Sequence, residues 1–532
     1  MKINKFTSLF ATCLLMGLTA CSNDNVSDAD SNNSAENKDL TGKTSFSITS
    51  EAKTRTSGVY DGSGVDFYWT TDDNIWVNSG SATSPTLTAS SSNNITSTTA
   101  SAKFYFDGIY TAQSYPVRYT GNASNSGNTV TIATSQNQDE ANNATQLGTV
   151  GDCGVGTATR QTDGSYKFNL SHEASYITFM PYYSKEALDA SAVVTQIKVE
   201  AANGEELAGT FNFSDSGLGA ANSSSNSVTL TLNGTSPTTG FPIPTTATAS
   251  KNAAIMVVAP GTYSTFKVTY SLYDSVTGTK STISYTYSGK TCTAGKNQKI
   301  STDLGMATYT SRKDKYYMWD AKSNYWNGYE SSQPLLNNAV NTNYAKSSAD
   351  TRWYNTAFTY MAQTKAINSC KDEPTFEALT WYIGAGSPQL DNKTLWVFAK
   401  HLYVGGIWLK KQSKISNFSS EVNYTGTNTW SSGKDIKFTV AVSGKPESSV
   451  RRDYFYLPAL GQYKDGELTD LGKKGYYWAS TPNPVNSGPR SAGYGNIISA
   501  NCLRFGIDTQ LNNVYVRNYY ERHVGMQVQK FE

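Results

Sequence analysis

With 532 residues and a formal net charge of +2, the chain is too long for one hydrophobic core and offers no electrostatic case for nucleic acid. Length alone implies about three domains. Aromatic residues make up 12%, with 35 Tyr, while charged residues reach only 16%, a balance that favours twisted sheets with hydroxyl-rich faces over helical bundles.

Residues 1–20 carry Lys2 and Lys5 and then an apolar run from Leu9 to Leu18, too short for a permanent span and therefore read as a secretory signal. It ends Leu18-Thr19-Ala20-Cys21, which resembles a bacterial lipobox. In that reading the Cys21 thiol is acylated and becomes the first mature residue, held in outer-membrane lipid by about 0.8 kcal/mol per buried methylene. An ordinary signal peptide that happens to contain a Cys is the alternative. Residues 21–41 hold almost no apolar side chain and read as a disordered tether.

Next, Phe46 and Ile48 alternate with Ser45, Ser47 and Thr49, the period of a strand with one buried face. Lys53 and Arg55 then offer a trypsin-like cut site, unless they merely solvate a loop. Val65–Trp69 and Asn74–Asn78 follow as aromatic strands about an Asp72-Asp73 turn, and further alternating segments come at 102–106, 114–119 and 128–132. This spacing suggests a β-sandwich over 42–190.

The Thr-Arg-Thr after the opening strand, the aromatic pair with its acidic turn, and Leu170-x-His172-x-x-Ala174 together resemble the fimbrillin-like lipoproteins of Bacteroidetes. A lone His beside apolar strand residues is read as structural, and His172 is given no chemistry. A polar break at 184–191 precedes a second run of strands over 191–306, in which Leu207-Ala-Gly-Thr210 and Ala294-Gly-Lys296 again resemble fimbrillins. The resemblance implies two transthyretin-like sandwiches in a mainly β protein.

Beyond Gly305 the character changes. Helical patterns appear over 353–367, with Phe358, Met361 and Ala362 on one face, and over 374–383, with Pro374 at a first helical position. Strands follow. The order Leu457-Pro-Ala-Leu-Gly461, Gly475-Tyr-Tyr-Trp-Ala-Ser-Thr481, Leu503-Arg-Phe505, then Arg522, Gly525 and Val528 resembles the Fibrobacter succinogenes major paralogous domain, similar to C-type-lectin-like folds. That implies an α+β unit over 307–532, with Trp408 and Trp478 in its core and ligands meeting exposed loops and the last strands.

Cys153, Cys292, Cys370 and Cys502 remain in an oxidising setting, where a Cys370–Cys502 disulfide within one domain is favoured and buried free thiols are the alternative. The paired motifs of calcium-dependent sugar binding are missing, the three His are not at metal-ligand spacing, and no nucleophile elbow or phosphate loop occurs. No metal, cofactor or enzymatic activity is expected. With Val514 and Val516 facing inward, Tyr515, Arg517, Tyr519, Tyr520 and Arg522 are expected to face out as a recognition surface.

The resemblances imply an outer-membrane precursor that an arginine-specific protease cuts after Arg55. The cut releases the strand of Phe46 and Ile48, and other fimbrial subunits fill the groove by strand addition. Losing those two side chains removes about 3–6 kcal/mol of apolar burial. A chain that accepts a strand but ends in a lectin-like domain is expected at the tip of a fimbrium, as a cell-surface adhesin for a host or bacterial ligand such as a glycan. The alternative is a permanently anchored surface lipoprotein binding glycan or protein.

Overall fold

A computed structural model describes residues 40–48, 57–122, 125–233, 239–357, 365–426, 435–441, 444–483, 499–506 and 512–532. It divides into Met1–Gly42, of which only 40–42 are described, and Lys43–Glu532, which holds every element below. The signal, Cys21, Lys53 and Arg55 lie outside the described residues. The chain is mainly β.

The opening strand, Lys43–Ile48, is an interior member of a nine-stranded sheet. It runs parallel to Tyr166–Phe168 on one side and antiparallel to Lys103–Asp107 on the other. The expected alternation places Phe46 and Ile48 in the core with Trp69, Val77, Phe104, Phe106 and Phe168. The acidic turn is built as read: the Asp73 carboxylate accepts from the Thr70 N–H at 2.6 Å and from the Tyr119 hydroxyl at 2.9 Å.

A second core gathers a six-stranded sheet and two three-stranded ones. Its longest members, Gly261–Asp274 and Thr279–Cys292, pair along their whole length. Strand pairing crosses residue 190. Thr129–Ile132 pairs with Ala208–Ser214, Ser135–Gln138 with Ser227–Leu232, and Ser175–Tyr182 lies between Ala254–Val258 and Asn297–Asp303. The buried Arg118 adds a tie: its Nε donates to Asp215 at 2.6 Å and its Nη1 to the Phe213 carbonyl at 3.0 Å.

The last region combines an eight-stranded sheet with the helix Phe376–Gly384. The helix starts two residues after Pro374 because Thr375 takes the cap, its Oγ1 accepting the Ala378 N–H at 3.1 Å. Phe358, Met361 and Ala362 lie outside the described residues, and the flanks 353–357 and 365–367 are irregular.

A hairpin of Trp396–Phe398 and His401–Tyr403 joins this region to the second core. Strand alternation gives it two apolar faces. Leu395, Val397 and Leu402 enter the second core, whereas Trp396, Phe398 and Tyr403 enter an aromatic core with Tyr316, Trp326 and Tyr463.

Candidate functional site

The opening strand occupies a slot whose walls are Lys103–Asp107 and Tyr166–Phe168. Phe46 fills it: its ring stacks on Tyr166 with centroids 4.5 Å apart and planes 8° apart, and meets the edge of Phe106 at 4.9 Å. Polar contacts hold the strand along its length. Thr44 Oγ1 donates to the Gly108 carbonyl at 2.8 Å, Ser47 Oγ to the Tyr166 carbonyl at 3.3 Å, and Lys43 pairs with Asp107 at 3.2 Å. Without this strand both neighbours present unpaired backbone at the lips of an aromatic groove, the condition that recruits another strand. Tyr166, Phe104 and Phe106 were not singled out from sequence, since alternation marks them as core without saying which strand they cover.

At the other end, Val514 and Val516 are fully buried, and Tyr515 and Arg517 face outward on Asn513–Glu521. They form a ladder with Ser499–Gly506. The Arg504 guanidinium lies 5.5 Å from the Tyr515 ring and 5.9 Å from the Tyr476 ring, and Arg517 lies 5.1 Å from Tyr515. Tyr520 packs edge-on against Tyr476 at 5.8 Å. The side chain of Tyr519 lies outside the described residues. Arg522 is a correction: it is buried, 4.4 Å over the Trp319 ring, and its Nε donates to the Ser499 carbonyl at 2.9 Å. Burial holds its guanidinium down at about 10. Residue 522 shares the parity of Val514 and Val516, so strict alternation already assigns it to the inward side.

Trp408 departs from expectation too. Ile407 and Leu409 take the inward positions of Gly406–Lys410, so Trp408 is partly exposed on the opposite face, while Trp478 is fully buried as expected.

His172 is enclosed. Its Nδ1 lies 2.7 Å from Asp152 Oδ1, Phe67 stacks on the imidazole at 4.1 Å, and the Tyr176 hydroxyl donates to the same carboxylate. Ser191, His401 and Asp274 have the residue types of a hydrolytic triad in another geometry. The same imidazole atom, Nδ1, faces both Ser191 Oγ at 3.4 Å and Asp274 Oδ2 at 3.2 Å, and Ser191 donates to Asp274 at 2.9 Å. The trio is therefore a clasp across the junction, with the Leu402 N–H also donating to Asp274 at 2.9 Å.

The Cys370–Cys502 disulfide is not formed. Both are buried free thiols of one apolar cluster, where a thiol packs as a small hydrophobe, and Cys153 and Cys292 are likewise buried and free. Burial pushes all four thiols above their ordinary range. Burial also pushes Glu373 up to about 8 and Glu377 up to about 7, against backbone hydrogen bonds that lower both. Among the described residues no group of three or more His, Cys, Asp or Glu is placed to hold a metal ion, and no helix is long and apolar enough to cross a membrane.

These features define the class: a mainly β, multi-core protein with an interior first strand and an aromatic, arginine-bearing C-terminal face. No protein-family model and no curated protein matches the chain. Among solved structures it is similar to a candidate cell adhesion protein from Bacteroides uniformis, at 12% identity and TM-score 0.29, covering 49% of this chain and 94% of that one. It is also similar to a fimbrial assembly protein from Parabacteroides distasonis, at 11% and 0.26, covering 49% and 90%. A fimbrial protein from Bacteroides ovatus is similar at 12% and 0.25, covering 50% of this chain and 49% of its own. These values are too low to carry a function across.

Proposed function

We propose that the chain is a fimbrial adhesin subunit, exported as a lipoprotein precursor through Cys21, cut after Arg55, and completed by a strand from another subunit. The observation that carries this reading is the interior position of the opening strand. It is bonded on both edges, yet it continues into the rest of the chain only through residues 49–56, the segment that contains Arg55. One cut there turns a structural strand into a separable one. The vacated slot then binds an extended segment by main-chain hydrogen bonds, with a bulky apolar side chain at the Phe46 position supplying specificity.

Met526, Gln527 and Phe531 are buried in the C-terminal region's own packing, so this stretch is not free to be passed to a neighbour. That supports an accepting subunit at the tip, with the Tyr515, Arg517 and Arg504 ladder facing a ligand on a host or bacterial surface.

The test is to treat the purified precursor with an arginine-specific protease and add a synthetic peptide of alternating apolar pattern. A new N-terminus at Thr56 and capture of the peptide in native mass spectra are expected. Assembled fibres retaining an intact, acylated N-terminus would instead favour the permanently anchored lipoprotein.

A further inference from the structure

Between the long strand Thr279–Cys292 and the C-terminal region lies a cleft of about 770 Å³, within the size range of small-ligand sites. We infer that it binds a pyranose ring carrying an acidic substituent. This gives the adhesin reading a ligand class and rests on that reading for its biological setting.

The floor is aromatic. Trp408 and Tyr456 line it with ring centroids 4.9 Å apart and planes inclined at 50°. Two flat rings splayed by that angle cannot sandwich a planar aromatic ligand, but they offer apolar faces to the puckered C–H face of a sugar.

Trp408 is fixed before any ligand arrives. Its Nε1–H donates to Asp391 Oδ2 at 2.8 Å, and Asp391, fully buried, also accepts the N–H groups of Lys393 and Thr394 at 2.9 Å each. The polar edge of the indole is thus occupied, and what remains for a ligand is its face. Such preorganisation lowers the ordering cost of binding. The opposite wall is pinned as well, since Ser281 Oγ donates to the Lys393 carbonyl at 2.8 Å and ties the two sides of the cleft together.

The rim decides the charge. Lys393 and Lys445 line the cleft, are exposed, and form no ion pair among the described residues. Thr282 and Ser284, both exposed, line the facing wall, with the Ser284 hydroxyl shared with Thr269 Oγ1 at 2.9 Å. Two carboxylates also line the cleft and both are engaged: Asp391 accepts four hydrogen bonds, from the two N–H groups, Thr394 Oγ1 and Trp408, and Asp303 accepts from the Gly305 N–H at 3.0 Å and from the Ser184 hydroxyl. A fixed aromatic floor, a polar facing wall and two ammonium groups with no ion pair among the described residues suit a hydroxylated ring with one negative charge: a uronic acid, a sialic acid or a sulfated sugar.

The experiment is calorimetric titration of the full, uncut chain with trigalacturonate, 3′-sialyllactose, a sulfated chondroitin disaccharide and neutral lactose. At least one acidic probe is expected to bind about tenfold or more tightly than lactose, with the three acidic probes separating ring carboxylate, exocyclic carboxylate and sulfate. The exposed pair Lys393→Gln/Lys445→Gln is expected to erase that preference without moving the thermal midpoint. Trp408→Ala is expected to weaken all sugars, with Trp408→Phe retaining part of the binding. Acidic probes no tighter than lactose, or a double lysine variant that keeps the preference, would overturn the inference. Because the uncut chain is used, failure of strand exchange leaves this result unaffected, and failure here leaves the slot's behaviour untouched.

Discussion

The opening strand and the junction hairpin are both buried, and they differ in how the chain holds them. The strand puts Phe46 into one core and is tethered through residues 49–56. The hairpin puts Val397 and Leu402 into one core and Trp396 and Tyr403 into another, and the chain enters and leaves it within the same unit. Burial measures how much an element stabilises; connectivity decides whether it can be exchanged. One cut can free the first, whereas no single cut frees the second from both of its cores.

The largest expected effect is on the strand. Phe46→Ala should cost about 3–5 kcal/mol and lower the melting of the nine-stranded sheet and its core alone, read by calorimetry. If the junction melts earlier by the same amount, the two regions are coupled and the contrast fails. Next, Asp274→Asn weakens the clasp to Ser191, His401 and the Leu402 N–H, an expected loss of about 1–3 kcal/mol confined to the junction. Hydrogen exchange at Leu402 should rise while exchange at Phe46 stays unchanged.

The third effect is pH dependence. The hydrogen bond to Asp274 raises His401 above 6.5, burial opposes it, and the charges of Asp274 and Asp189 add to the rise. Its stabilisation is therefore complete below pH 6.5 and is lost as pH climbs through the raised native value. Glu373 acts in the same direction: burial lifts it from 4.5 to about 8, so the folded state holds its proton more tightly and stability falls as pH rises between those values. Melting scans from pH 6 to 9 should lower the junction and C-terminal transition and leave that of the nine-stranded sheet nearly fixed. Glu373→Gln should flatten part of that slope, and equal shifts in both transitions would remove the distinction. Smallest is Arg517→Ala, which breaks a partly exposed pair with Asp435 at 3.4 Å and should change stability by about 0–1 kcal/mol.

Much of this was legible in the sequence because alternation reports the side of a strand. It placed Phe46, Ile48, Val514 and Val516 inward, and the acidic turn at Asp73 followed from residue type. Alternation does not report the partner. Nothing in residues 129–138 says that they pair with strands near 210 and 230, since either sheet accepts the same pattern. Arg522 was expected outward although residue 522 has the inward parity of Val514 and Val516, and Trp408 was placed in the core by the domain resemblance, whereas alternation with Ile407 and Leu409 turns it to the other face. Buried thiols and a disulfide read alike in sequence, as both need only an apolar neighbourhood.

The shared hairpin also gives the molecule a route for mechanical load. Asp274, which clasps His401 and the Leu402 N–H, is the terminal residue of the 14-residue strand Gly261–Asp274. Tension arriving from the C-terminal region at that point enters the six-stranded sheet along a strand axis, and the ladder to Thr279–Cys292 resists it in shear, many hydrogen bonds at once. The opening strand, held along both edges, meets axial tension in the same way.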